Sequence, residues 1–122
     1  MATAERKRRE ADGRRAETVA ALYLRLKGFR ILARRWRIHA GEIDLIARRG
    51  GVVAFVEVKA RADLAGAAES LGARQRRRIA RAAAAFLQKR PDLQGLDQRF
   101  DVVLVAPWRL PHHISDAWRD VF

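Results

Sequence analysis

Two runs on either side of Gly50-Gly51 constrain this chain more than anything else in it: Gly41-Glu-Ile-Asp-Leu-Ile-Ala-Arg48 and Val52-Val-Ala-Phe-Val-Glu-Val-Lys59. Both are rich in residues that suit a pleated strand, and a two-residue glycine link suits the type I′ and II′ turns of a β-hairpin. With that turn Arg49 faces Val52, and the register continues as Ala47 with Ala54, Leu45 with Val56 and Ile43 with Val58. This gives one apolar face. The other pairs Arg48 with Val53, Ile46 with Phe55, Asp44 with Glu57 and Glu42 with Lys59, so it is apolar near the turn and polar at its open end.

In this register the Cβ atoms of Asp44 and Glu57 lie about 5 Å apart. Two like charges that close are destabilising unless a proton or a cation neutralises them. Paired carboxylates are what Mg²⁺ accepts from a protein when substrate phosphate completes its shell. Lys59 follows Glu57 by two residues and shares its face, where an ammonium can hold a water beside a phosphodiester. A turn at Arg49-Gly50 would set Glu57 opposite Glu42 instead, with the acids still on one face. The plain alternative is a solvated strand edge with an ordinary Glu42–Lys59 ion pair.

Charge points to the partner. Twenty-six Lys and Arg stand against fourteen Asp and Glu, a net charge of +12. The cations are mostly Arg, whose planar fork matches phosphate oxygens. Nucleic acid is the first candidate, ahead of an anionic membrane surface or the ribosome. There is no cysteine, which excludes disulfides, zinc ribbons and thiol nucleophiles and suits a reducing compartment. The charged N-terminus is followed by no apolar stretch of the kind a signal peptide needs, and no run reaches the ~20 apolar residues of a membrane helix. A cytoplasmic protein without a membrane span is expected.

At 122 residues the chain has room for one core. Residues 1–11 are expected to form a basic N-terminal arm, and residues 12–122 a single domain. A helix is predicted from Asp12 to Lys27, with Val19, Leu22, Tyr23 and Leu26 at helical spacing and Gly28 as its stop. A strand over Phe29–Ile38 and the hairpin follow, then a loop over 60–71. A second helix is predicted over Gly72–Lys89, with Ile79, Ala82, Ala83, Phe86 and Leu87 as its buried stripe. After a connection over Pro91–Asp97 comes a buried strand, Phe100–Val105, and a tail carrying Trp118 and Phe122. The order is helix, three strands, helix, strand.

Read together, Gly41-Glu-Ile-Asp-Leu-Ile-Ala47 and Phe55-Val-Glu-Val-Lys59 resemble the YraN family of small bacterial proteins. The likeness extends over most of the chain, through Gly13-Arg-Arg-Ala-Glu17, Ile31-Leu-Ala-Arg34, Arg99-Phe-Asp-Val-Val103 and His113-Ile114. That family is similar to archaeal Holliday-junction resolvases and restriction-endonuclease-like proteins. The resemblance implies an α/β fold with an αβββαβ core, a mixed sheet flanked by helices, and a PD-(D/E)XK metal centre. On this chain Asp44 and Glu57 match the metal-binding acids, Lys59 the lysine and Glu17 the supporting glutamate of the first helix. Ile43 stands where the motif has proline, and Ala16 where a glycine commonly precedes the helix glutamate.

Other residues carry weaker signals. Glu17 shares a helical face with Ala20, Ala21 and Leu24, and without the resemblance reads as a solvated helix glutamate. Gln75 lies at the start of the second helix, where it either orients the site or turns to water. Arg74, Arg76, Arg77, Arg78 and Arg81 form a one-sign run at a helix N-terminus, where cations are unfavourable and a phosphate backbone would compensate. With Gln75 they are the expected nucleic-acid contacts. Arg34, Arg35 and Arg37 flank Trp36, a core residue or a stacking platform. His112-His113 reads as packing or capping. The expected function is Mg²⁺- or Mn²⁺-dependent, structure-selective endonucleolytic cleavage of nucleic acid, DNA rather than RNA, with a homodimer as an option. The alternative is a non-cleaving nucleic-acid-binding module of the same fold, serving DNA recombination, RNA or the ribosome.

Overall fold

In a computed structural model, which describes residues 2–60 and 72–119, the central hairpin is built around the glycine turn. Strands β2 (Gly41–Arg49) and β3 (Val52–Ala60) are antiparallel, with Arg49 paired to Val52, Ala47 to Ala54 and Leu45 to Val56, the expected register. Gly50 has φ 57°, the left-handed region that glycine enters at little steric cost. Strand β1 (Arg30–Ile38) lies antiparallel on the outside of β2.

From β3 the chain returns through helix α2 (Ala73–Gln88) and a short 3₁₀ turn (Pro91–Leu93) to β4 (Asp97–Val105), which pairs parallel with β3. A parallel pair needs such a crossover, and β3, buried on both faces, reads as a continuous apolar run for that reason. The last strand, β5 (His112–Trp118), pairs antiparallel with β4 and completes a mixed sheet of order β1-β2-β3-β4-β5. Helix α1 (Ala2–Leu26) covers one face with Ala20, Ala21 and Leu24 over Leu45, Ala47, Ala54, Val56 and Val103. Helix α2 covers the other, with the predicted stripe of Ile79, Ala82, Ala83, Phe86 and Leu87 on Ile46, Val53, Phe55 and Phe100.

The structure departs from the sequence reading in four places. Helix α1 starts ten residues before Asp12, so residues 2–11 continue the helix in one piece. Its buried side is the small-residue face with Ala16, Ala20, Ala21 and Leu24, while Val19, Leu22 and Leu26 are exposed. Alanines let the helix backbone approach the sheet, which the larger residues one position away would prevent. The expected tail is strand β5, whose Trp118 stacks on Phe100 with centroids 4.0 Å apart. Its alternation is broken at Asp116, which has φ 53°, and this hides it from a two-residue periodicity. Finally, Ile43 does not share a face with Leu45; it packs with Ile46 on the α2 side. The expected loop over 60–71 lies, beyond Ala60, outside the described residues.

Candidate functional site

The break in alternation at Ile43 marks the site. The β2–β3 ladder ends at Leu45–Val56, just before Asp44 and Glu57. There the Val58 amide donates to Asp44 Oδ2 at 2.8 Å, so a side-chain carboxylate stands where a ladder partner would. On the other side of β2, Arg35 falls between the pairs Arg34–Leu45 and Trp36–Ile43 and has φ 50°. A regular strand sends successive side chains to opposite faces. Here Arg34 and Arg35 both reach α1, donating to Thr18 Oγ1 at 3.0 Å and to Glu17 Oε1 at 2.6 Å.

Asp44 is half-buried and Glu57 buried, with 8% exposure. The Asp44 carboxyl lies close enough to Glu57 to disfavour its ionised form. Burial pushes the Glu57 carboxyl up to about 10, and the hydrogen bond and charge of Asp44 add to the rise; Lys59 and Gln75 oppose it. Gln75 Nε2 donates to Glu57 Oε2 at 3.0 Å from the first turn of α2. Its amide is therefore committed to the acid pair, apart from the arginine surface with which the sequence grouped it. Lys59, half-buried, lies two residues past Glu57, at register with Leu104 of β4.

The approach of α2 that delivers Gln75 depends on Gly41. A Cβ there would lie 2.4 Å from the Arg78 carbonyl oxygen and 2.9 Å from its carbon, so no larger residue fits without moving the helix. Arg78 Nε in turn donates to the Ala40 carbonyl at 3.1 Å. Glu42, Arg74, Gln75 and Arg78 line an open cleft of about 610 Å³ at this end of α2.

The other expected contacts divide. Arg74, Arg77, Arg78 and Arg81 are exposed, whereas Arg76 is half-buried with its guanidinium 5.8 Å from the Trp118 ring centre. Helix α2 has no acid in its first turn and no side-chain cap, so the arginine run is not neutralised within its own first turn. Arg37 pairs with Glu42 at 3.3 Å, and Trp36 packs edge-on against Phe86 in the α2-side core. Glu17 belongs to an ion pair with Arg35, whose pKa it raises. Among the described residues no three acids or histidines gather at ligand spacing.

A second buried acid lies outside the hairpin motif. Asp101 is fully buried and accepts two hydrogen bonds from Arg99 at 2.9 Å, one from the Asp116 amide at 2.9 Å, and a 2.7 Å contact from His113 Nε2. Burial would raise its pKa, yet the His113, Arg99 and Asp116 hydrogen bonds hold it below the usual carboxylate value. His113 Nδ1 lies 2.7 Å from Lys27 Nζ. An ammonium only donates, so Nδ1 accepts and Nε2 carries the proton toward Asp101. This network ties β5 and the end of α1 to β4. The packing role expected for the histidine pair fits His113. A buried strand Asp followed twelve residues later by His was the available signal.

The sequence profile of the uncharacterised protein family UPF0102 matches residues 16–105, a span that contains Glu17, Asp44, Glu57, Lys59 and Gln75. A UPF0102 protein of Paramagnetospirillum magneticum is 62% identical over 111 residues, covering 88% of this chain and 86% of its own length. One from Parvibaculum lavamentivorans is 58% identical over 107 residues, covering 88% and 80%. One from Mesorhizobium japonicum is 51% identical over 116 residues, covering 95% and 93%.

Proposed function

We propose, from the premise that this chain belongs to the uncharacterised protein family UPF0102, that it is a divalent-metal-dependent nuclease acting on nucleic acid, DNA in the first place. The observation that carries this reading is the pairing of half-buried Asp44 with buried Glu57, in which Glu57 keeps a proton far above its ordinary range. A buried acid pair that must borrow a proton is a pair built for a cation, and two carboxylates with open positions beside them suit Mg²⁺ or Mn²⁺. When bound, such an ion supplies Lewis-acid stabilisation of the charge that builds on a phosphodiester.

The chain's own residues do the rest. Asp44 is fixed by the Val58 amide, and Glu57 by Gln75, so neither carboxylate has to reorder. Lys59 holds a water or a phosphate oxygen next to the pair. Its charge already lowers the pKa of Glu57, so it favours the ionised carboxylate that a metal requires. Arg74, Arg77 and Arg81, exposed on α2, supply salt-sensitive affinity for the phosphate backbone. Glu17 acts at one remove, by holding Arg35 in the left-handed conformation opposite Asp44.

One observation favours the non-cleaving alternative: the Glu17 carboxylate is taken by Arg35 at 2.6 Å, which leaves two acids for the metal. Calorimetric titration with Mn²⁺ and Mg²⁺, alongside cleavage of a panel of linear, nicked and branched DNAs, separates the two. Metal uptake and cleavage that are both lost in Asp44→Asn support the enzyme. Metal uptake with every substrate intact supports the binding module, and no uptake at any pH removes the metal reading altogether.

A further inference from the structure

The connection between β4 and β5 holds Trp108 wholly in solvent, 103% exposed, at φ 62°. A bulky residue in the left-handed region is strained, and an indole left in water forgoes its burial, so two unfavourable choices coincide at one position. Trp108 forms one wall of a cleft of about 570 Å³ whose apolar lining includes Val19, Ala60, Val105 and Pro107, with Arg15 and Arg109 among its polar residues and Asp12 as its acid. Among the described residues neither arginine has an ion-pair partner.

The cleft's position gives it meaning. Ala60 directly follows Lys59, and Ala16, also in the lining, directly precedes Glu17. Ala60 lies three residues past Glu57 along β3, about 10 Å of extended strand, so the cleft opens at the same end of β3 as the proposed metal site, on the α1 side of the sheet. A strand whose phosphodiester lay at Asp44 and Glu57 and ran on past the end of β3 would carry a nearby nucleotide toward this wall. We propose that Trp108 is the stacking platform for an unpaired nucleobase, with Arg15 and Arg109 contacting the flanking phosphates. The occupant is a single-stranded or frayed segment of nucleic acid beside the reacting link. This rests on the nuclease reading for its direction and defines the substrate as one with an unpaired base at that point. A planar face flanked by cations suits a base because every base has a π-face and every base carries a phosphate. The net charge of +12 disfavours a second copy of the same chain as occupant.

The test measures binding in chelator, where no cleavage interferes, with labelled unpaired oligodeoxynucleotides, the matching oligoribonucleotides and blunt duplex DNA. Trp108→Ala should weaken single-strand binding by between about fivefold and a hundredfold and leave duplex binding nearly unchanged. Trp108→Phe should recover most of the loss. Trp36 and Trp118 lie in or against the core, so the quenching of indole emission by unpaired strands should also vanish in Trp108→Ala. A Trp108-dependent loss in either sugar arm carries the proposal and identifies the nucleic acid. Equal loss for strand and duplex overturns it, as does a variant that alters only sedimentation, which would make a second copy the occupant. If the wild type binds duplex with the expected salt dependence and Trp108→Ala changes nothing, only the stacking site falls. If the wild type binds no nucleic acid at low salt, the nuclease reading falls with it.

Discussion

Replacing Glu57 with glutamine tests the acid pair without enlarging or emptying the site. An amide resembles the protonated carboxyl: its oxygen still accepts from Gln75 and its NH₂ donates to Asp44. In the metal-free wild type the native state holds a Glu57 proton up to about pH 10, whereas the ordinary value is 4.5. Below pH 4.5 both folded and unfolded chains are protonated there, so the site gives its full contribution. As pH climbs through the window from 4.5 to about 10, the folded chain binds more protons than the unfolded one, and stability must fall. The slope for one proton is about 1.4 kcal/mol per pH unit, so between pH 5 and 8 the wild type should lose about 4 kcal/mol relative to Glu57→Gln. Urea denaturation of both proteins at half-unit pH steps in chelator reads this as a difference that cancels every other titrating group. Calorimetry of Mn²⁺ binding to the wild type in two buffers of unlike ionisation heat should show about one proton released per metal at pH 7. Parallel pH profiles for the two proteins, or metal uptake without proton release, would refute the argument that burial forces a proton onto the pair.

Three further outcomes are expected. Lys59→Ala should cut cleavage by on the order of 10²–10⁴-fold while nucleic-acid affinity stays within a few-fold; because the Lys59 charge lowers the Glu57 pKa, the pH needed for proton release should also rise. Gly41→Ala puts a methyl group against the Arg78 carbonyl and should cost about 1–3 kcal/mol in denaturant titrations, with metal affinity falling too because Gln75 shifts off Glu57. Asp101→Ala strands Arg99 and His113 and should destabilise by about 3–5 kcal/mol. Since the folded-state pKa of Asp101 is depressed, the wild-type contribution persists above the ordinary carboxylate value and is lost only as pH falls through the lower folded value, so this penalty should shrink in strong acid.

The hairpin register from Arg49–Val52 to Leu45–Val56, the closeness of Asp44 and Glu57, and the buried stripe of α2 were legible in the sequence. Each is a local periodicity: two for a strand, 3.6 for a helix, and a two-glycine turn that favours the observed register. Membership of the family was legible too, since its motifs are strings of nearby residues. What the folded chain decided lies where local rules break or where partners are far apart in sequence. Val19 and Ala20 are adjacent on one helix, and only the distance between helix and sheet chooses the alanine face for burial. Ile43 changes faces because Asp44 gives its carboxylate to the Val58 amide, and Arg35, across β2, takes a left-handed turn toward Glu17. Gln75 reaches Glu57 across eighteen residues because Gly41 lets α2 come close. Trp108 carries no signal in the sequence, since exposure is a property of what fails to pack around a residue, and no local pattern encodes it. Burial works the same way: a carboxylate's neighbours in sequence do not set its dielectric surroundings, so the proton on Glu57 is a consequence of the tertiary structure alone.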